Sequence, residues 1–174
     1  MGDPRRGDGQ IDYGYSVTAN SELTVVVRQH VYLIQFELTG DGRAAELVVS
    51  LDEQSVWIFQ TAGWISPRLG LSERALYVWT ARELIVFPSE FQGVPVVITL
   101  DEDLRFVFGL DDGWLVVCET SVRRLVQEVQ TAAVYLGEVL VAAHLVGGEL
   151  VVRDFSGRTW LAKVDGERLN VSPR

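Results

Sequence analysis

The chain has 174 residues, 48% of them hydrophobic and 22% charged, with a formal net charge of −9. That length makes one domain the default and is enough to bury a sizeable core. The acidic balance, with a pI near 4.7, excludes the basic footprint that nucleic acid or an anionic membrane surface requires, and leaves a basic protein or a neutral ligand as partner.

Residues 1–12 begin MGDPRRGDGQ, a polar, glycine-rich stretch without the apolar core of a signal peptide. They read as a disordered tail ahead of a single all-β domain over residues 13–174. Arg6-Gly7-Asp8 is the tripeptide that integrins read, but three residues in a flexible tail match by chance. No apolar run approaches the ~18 residues needed to span a bilayer, so the simplest expected location is the cytoplasm.

From Tyr13 onward, short runs rich in Val, Leu, Tyr, Phe and Trp alternate with turn residues, the punctuation of strands. They fall into four groups of four. The first is 13–18, 23–28, 31–37 and 45–50, with Gln29-His30 as a tight connection and Gly40-Asp41-Gly42 as a turn needing positive φ. The second is 55–61, 75–80, 83–87 and 94–99. The third is 104–109, 114–119, 122–129 and 132–136, with Asp111-Asp112-Gly113 as its hairpin signal. Within it, Val122, Leu125, Val126 and Val129 also fit helical spacing, but their setting between strands favours strand. The fourth is 138–144, 149–154, 159–164 and 168–172, with turns at Gly147-Gly148, Ser156-Gly157 and Asp165-Gly166.

The groups repeat one another. VVSLDEQSVWIF at 48–59 returns 49 residues later as VITLDEDLRFVF, with Leu-Asp-Glu identical. Leu115-Val116-Val117 returns after 35 residues as Leu150-Val151-Val152, with Glu119 and Asp154 at the same offset. Periods of this size mark arrays and propellers. Strands such as Thr24-Val25-Val26-Val27 and Leu84-Ile85-Val86-Phe87 are apolar on both faces, as in sheets packed face to face.

Residues 148–165, GELVVRDFSGRTWLAKVD, resemble the inner hairpin of a blade in β-propellers of the quinoprotein or WD type. The resemblance covers the rhythm of residues 13–172 and implies about four antiparallel four-stranded units, as a four-bladed or half propeller. No functional residue follows from it, because the Trp-Asp dipeptide and the Gly-His pair of WD repeats are absent. A two-sheet β-sandwich is the competing architecture. An open half propeller would leave its end units exposed, and a homodimer would bury them.

The candidate contact surface lies in an apparent insertion in the second group, AGWISPRLGLSER at 62–74. Loops on a rigid scaffold carry function, and Trp and Arg dominate binding hot spots. Trp64, Ile65, Arg68 and Leu69 are therefore the expected partner-binding residues; the alternative is that Trp64 and Leu69 plug one end of the core. The strand tryptophans Trp57, Trp79, Trp114 and Trp160 are expected in the core. Asp52-Glu53, Asp101-Glu102-Asp103 and Asp111-Asp112 read as solvated turns, the Leu-Asp-Glu pair marking equivalent turns between units. Cys118, in WLVVC, reads as a buried small hydrophobe. His30 and His144 lie far apart without metal-ligand spacing, and the single lysine, Lys163, falls inside a strand.

No nucleophile elbow, phosphate loop or dinucleotide fingerprint occurs. No catalytic residue, metal or cofactor is expected. The first functional reading is a non-enzymatic protein-interaction module that holds a protein partner of basic character. One narrower form is an immunity- or antitoxin-like acidic binder. The second reading is a small-molecule or glycan-binding domain, or an enzyme of another type, marked by tryptophans converging with carboxylates in one concave site.

Overall fold

A computed structural model of the chain describes residues 15–16, 21–27, 30–39, 44–62, 66–71, 75–87 and 93–174. The described residues are all β. Sheet 1 is a meander of β2 (Ser21–Val27), β3 (His30–Thr39), β4 (Ala44–Leu51) and β5 (Ser55–Ala62). Sheet 2 comprises β6 (Arg68–Leu71), β7 (Leu76–Trp79), β8 (Glu83–Val86) and β9 (Val96–Thr99), with β1 (Tyr15–Ser16) added beside β6. Sheet 3 holds β10 (Leu104–Leu110), β11 (Gly113–Cys118), β12 (Ser121–Val126) and β13 (Val129–Tyr135). Sheet 4 holds β14 (Leu140–Val146), β15 (Glu149–Asp154), β16 (Thr159–Asp165) and β17 (Arg168–Pro173). Every pairing is antiparallel. Among the described residues, no helix is long and apolar enough to cross a membrane.

Four-stranded units are thus the plan, but the first two are out of phase with the sequence grouping. β5 closes sheet 1 instead of opening sheet 2, and β1 pairs with β6 in sheet 2 instead of joining the first unit. The expected insertion at 62–74 contains a strand. β6 is only RLGL, it follows Pro67, and Gly70 sits inside it, so its residues carry turn chemistry. The expected N-terminal tail falls on residues outside those described.

Two hairpin turns are made by residues that seldom adopt positive φ. Asp52 and Glu53 between β4 and β5 have φ of 49° and 59°, and Gln127 and Glu128 between β12 and β13 have 46° and 70°. Gly and Asn usually fill such places. The second turn splits the stretch that also fitted a helix, placing Gln127-Glu128 where one continuous strand over 122–129 was expected.

The sheets stack in chain order, each burying a face against the next. Sheet 1 packs Tyr32, Ile34, Phe36, Leu47 and Val49 onto Leu69, Leu76, Val78, Ile85 and Phe87. Sheet 2 turns its other face, with Tyr77, Trp79 and Leu84, onto Val107, Val116, Cys118 and Leu125 of sheet 3. Sheet 3 in turn places Phe108, Leu115, Val117 and Val122 on Leu150, Val152, Ala162 and Leu169 of sheet 4. Period-two alternation therefore feeds two cores from one strand, which is why β7 is buried at every position. Among the described residues, none of these clusters joins sheet 4 back to sheet 1, and the sheets are not closed. Four sheets with three interfaces replace the two-sheet sandwich.

Two adjacent arginines of β12 stitch the stack in opposite directions. Arg123 is 3% exposed and reaches the β9–β10 connection, with Nη1 donating to Asp101 Oδ1 at 2.5 Å and Nη2 to Glu102 Oε2 at 2.8 Å. Arg124, fully buried, faces the other way. It donates to Asp112 Oδ1 at 2.5 Å, to the Leu125 carbonyl at 2.9 Å and to the Gly166 carbonyl of sheet 4 at 3.3 Å. The two Leu-Asp-Glu copies are accordingly not equivalent. The first forms a hairpin inside sheet 1, whereas Asp101 and Glu102 join two sheets and hold Arg123.

Burial would raise the Glu102 carboxyl, but Ser121 Oγ, Thr120 Oγ1, Arg123 and the Thr120 amide all donate to it and hold it at about 2, against an ordinary 4.5. The folded state thus binds its proton later than the unfolded state. The stabilisation is fully present above pH 4.5 and is lost as pH falls through about 2. Its size is on the order of 2 kcal/mol after allowance for solvent screening. Urea midpoints measured across this window should fall with pH, and Glu102→Gln should flatten the slope. An unchanged slope in that variant would assign the acid sensitivity elsewhere.

Candidate protein-interaction face

Sheet 1 has one face in the core and one facing outward. The inward positions are Val25, Tyr32, Ile34, Phe36, Ala45, Leu47, Val49 and Leu51, with Trp57 and Phe59 beside them. Alternation turns Val26, Val31, Leu33, Val48, Val56 and Ile58 to the other side. Cross-strand register brings them together: Val26 opposes Val31, Val48 opposes Ile58, and Leu33 lies diagonal to Val48, with Ser50 standing between Leu33 and Val56. Val26, Val56 and Ile58 are 57–62% exposed. Scattered surface valines need no explanation, but a connected strip across four strands does.

Carboxylates surround this strip. Glu22, Glu37 and Glu46 share its face by alternation. Gln35 Nε2 donates to Glu22 and Gln60 Nε2 to Glu46, both at 3.0 Å. At one end, Asp52 accepts from the Val31 amide and from His30 Nδ1, each at 2.7 Å. These bonds, His30 first, hold Asp52 below the usual carboxylate range, and an ionised Asp52 requires the imidazole proton on Nδ1. A shallow depression of about 500 Å³ lies on this face, lined by Thr24, Val31, Leu33, Ser50, Asp52 and Glu53 among others. No Lys or Arg occurs among the described residues of sheet 1. The face is an apolar strip inside an acidic rim.

The residues expected to bind a partner are placed differently. Trp64 and Ile65 lie outside the described residues. Arg68 is exposed, but its guanidinium donates to the Arg105 carbonyl at 3.1 Å and lies 5.9 Å from the Phe106 ring centroid, tying β6 to β10. Leu69 is 1% exposed and belongs to the core between sheets 1 and 2. This corrects its expected place on the surface: in a strand next to Arg68 it must face the opposite way.

The described tryptophans do not converge. Trp57 packs near Phe87 in the first core, Trp79 and Trp114 flank Tyr77 in the second, and Trp160 joins the third. Trp160 also donates to Asp154, which accepts from Ser156 Oγ and the Arg158 amide and so knots the hairpin of sheet 4. Trp114 lines a cavity with Asp111, Asp112 and Glu128, and Asp112 is held by Arg124. Cys118 is buried, and burial pushes its thiol up to about 11, so little thiolate is present near neutrality.

No protein-family model matches the chain. Among solved structures it is similar to the crystal structure of HIRA(644-1017), with a TM-score of 0.49 and 12% sequence identity. The match covers 98% of this chain and 58% of that one, so the chain spans less than two thirds of the length of that structure. The strand pairing and burial of this chain define its architecture without it.

Proposed function

We propose that this protein is a non-enzymatic interaction module that seats a protein partner on the outer face of sheet 1. The connected Val26–Val31–Val48–Val56–Ile58 strip inside a carboxylate rim carries this reading. Apolar side chains supply burial, at roughly 25 cal/mol per Å² removed from water. The rim steers and selects a partner with cations around an apolar centre. An acidic binder of immunity type, capping a basic protein, is the narrower form. The small-molecule reading loses support because the described tryptophans are spent in three separate cores.

The test is capture on the immobilised protein, comparing the native chain with a Val56→Lys/Ile58→Lys variant across ionic strength. The native chain is expected to retain a partner that the variant releases, and retention should weaken as salt rises. A partner held equally by both chains would remove this face from the function.

A further inference from the structure

The three internal interfaces are of one kind: one face of a sheet packs on the opposite face of its successor. Among the described residues, two faces of the series take no part in these clusters, the outer face of sheet 1 and the outer face of sheet 4. We infer that the outer face of sheet 1 seats on the outer face of sheet 4 of a second copy, head to tail, so that two chains close on each other through two identical joints. This rests on the reading of sheet 1 as a docking face and names its occupant.

Continuity with the existing stack is the first argument. A sheet presented to sheet 1 from outside would meet it as sheets 1, 2 and 3 meet their successors, about 10 Å apart. Charge is the second. In sheet 4, Leu150, Val152, Ala162 and Leu169 point into the core. Their neighbours Val151, Arg153, Leu161 and Lys163 therefore face outward, as does Arg168, which opposes Asp165. On this face Val151 is already buried and Leu161 half-buried, and Arg153, Lys163 and Arg168 stand around them together with Glu149, paired with Lys163 at 2.5 Å, and Asp165, opposite Arg168; Arg153 is the cation left without a carboxylate across from it. Sheet 1 offers the complement, with Glu22, Glu37 and Glu46 and no described Lys or Arg.

The same charges disfavour sheet 1 against sheet 1, which sets carboxylate rim against carboxylate rim, and sheet 4 against sheet 4 leaves the acidic face of sheet 1 uncovered on both chains. A head-to-tail contact satisfies both faces of each chain only when it closes, and closure at two copies leaves none over.

The experiment is light scattering of the full chain over a dilution series, with two charge-reversed variants. Glu22→Lys/Glu46→Lys alters sheet 1, and Arg153→Glu/Lys163→Glu alters sheet 4. All four positions are on the surface, and matched circular dichroism and denaturation midpoints establish that each variant folds. The native chain is expected at about 39 kDa, twice the 19.4 kDa of one chain. Each variant alone is expected as a monomer, because both of its joints oppose like charges. An equimolar mixture should return to the dimer mass, since one joint is then reversed in sign and the other is native. A monomeric native chain overturns the inference, as does a mass that keeps growing with concentration, or a mixture that fails to pair. If the native chain is monomeric while Val56→Lys/Ile58→Lys still abolishes capture of another protein, only the second copy is eliminated. If it is monomeric and capture is unaffected, the docking face itself falls.

Discussion

Arg123→Ala is expected to lower the unfolding free energy by about 3–5 kcal/mol, the usual cost of breaking a buried ion pair from one side. Arg123 has almost no contact with solvent and engages four side-chain acceptors: Asp101, Glu102, Gln130 and Ser121 Oγ all accept from it, and its guanidinium lies 5.7 Å from the Tyr135 ring centroid. Alanine would leave the Glu102 carboxylate, only 16% exposed, without its counter-charge. A domain of this size has about 5–15 kcal/mol in total, so the variant would stand near the edge of folding. Arg123→Lys should recover little, because one ammonium cannot bridge two carboxylates in the geometry of a planar fork. Denaturant midpoints for Arg123→Ala, Glu102→Gln and the double variant close a cycle, and the double variant should lose less than the sum of the singles. Additive losses would mean that Arg123 acts through packing alone. Because the clasp joins the β9–β10 connection to β12, hydrogen exchange should rise first between sheets 2 and 3, leaving the face of sheet 1 intact.

How far the fold could be read from the sequence depended on turn chemistry. Sheet 4 and the first hairpin of sheet 3 were legible because Gly113, Gly147-Gly148, Gly157 and Gly166 mark them, all with positive φ, whereas Gln127-Glu128 turns the last hairpin of sheet 3 without a glycine. Sheets 1 and 2 slipped by one strand because β6 is short and contains a glycine, so Arg68–Leu71 looked like loop. Leu-Asp-Glu misled for a related reason. Identity of three residues does not encode whether they turn within a sheet or between sheets, and only the partners of the carboxylates separate the cases. The Arg123-Arg124 clasp was invisible because two adjacent arginines ordinarily face solvent. Here β12 lies between two interfaces, so alternation sends one into each. The candidate face was hidden differently. Ser55–Ala62 reads SVWIFQTA, apolar at consecutive positions, and nothing in that run tells whether Trp57 and Phe59 or Val56 and Ile58 are inside. The size of the aromatic pair, and its contacts with Phe87, decide it.

Gly70→Ala is expected to cost about 2–3 kcal/mol, and Gly70→Val more, by overpacking where nothing can yield. Gly70 is the cross-strand partner of Tyr77, and the phenol lies directly over it: an added Cβ would collide with ring carbons Cζ and Cε2 and with the phenol oxygen. An exposed aromatic would swing aside. Tyr77 is 1% exposed, stacked on Trp79 with centroids 5.9 Å apart and set edge-on to Trp114 at 4.7 Å. Its burial pushes the phenol up to about 12, so it stays neutral at any working pH. The ring is thus fixed by the second core, and β6 must move away from β7 instead. That movement would pull Leu69 from the first core and Arg68 from Arg105, so one methyl group acts on two interfaces. Thermal or urea denaturation of Gly70→Ala, Gly70→Val and Gly70→Ala/Tyr77→Leu measures this. Tyr77→Leu alone should destabilise by emptying part of the core, yet the added cost of Gly70→Ala should shrink in its presence, because the atoms in conflict are gone. A Gly70→Ala chain as stable as the native one would mean that the ring yields, and that the β6–β7 pairing is looser than its burial implies. β6 is the strand that ordinary turn chemistry hides in the sequence. Its glycine is there for the tyrosine across the sheet, and a loop residue would have no such dependence on Tyr77.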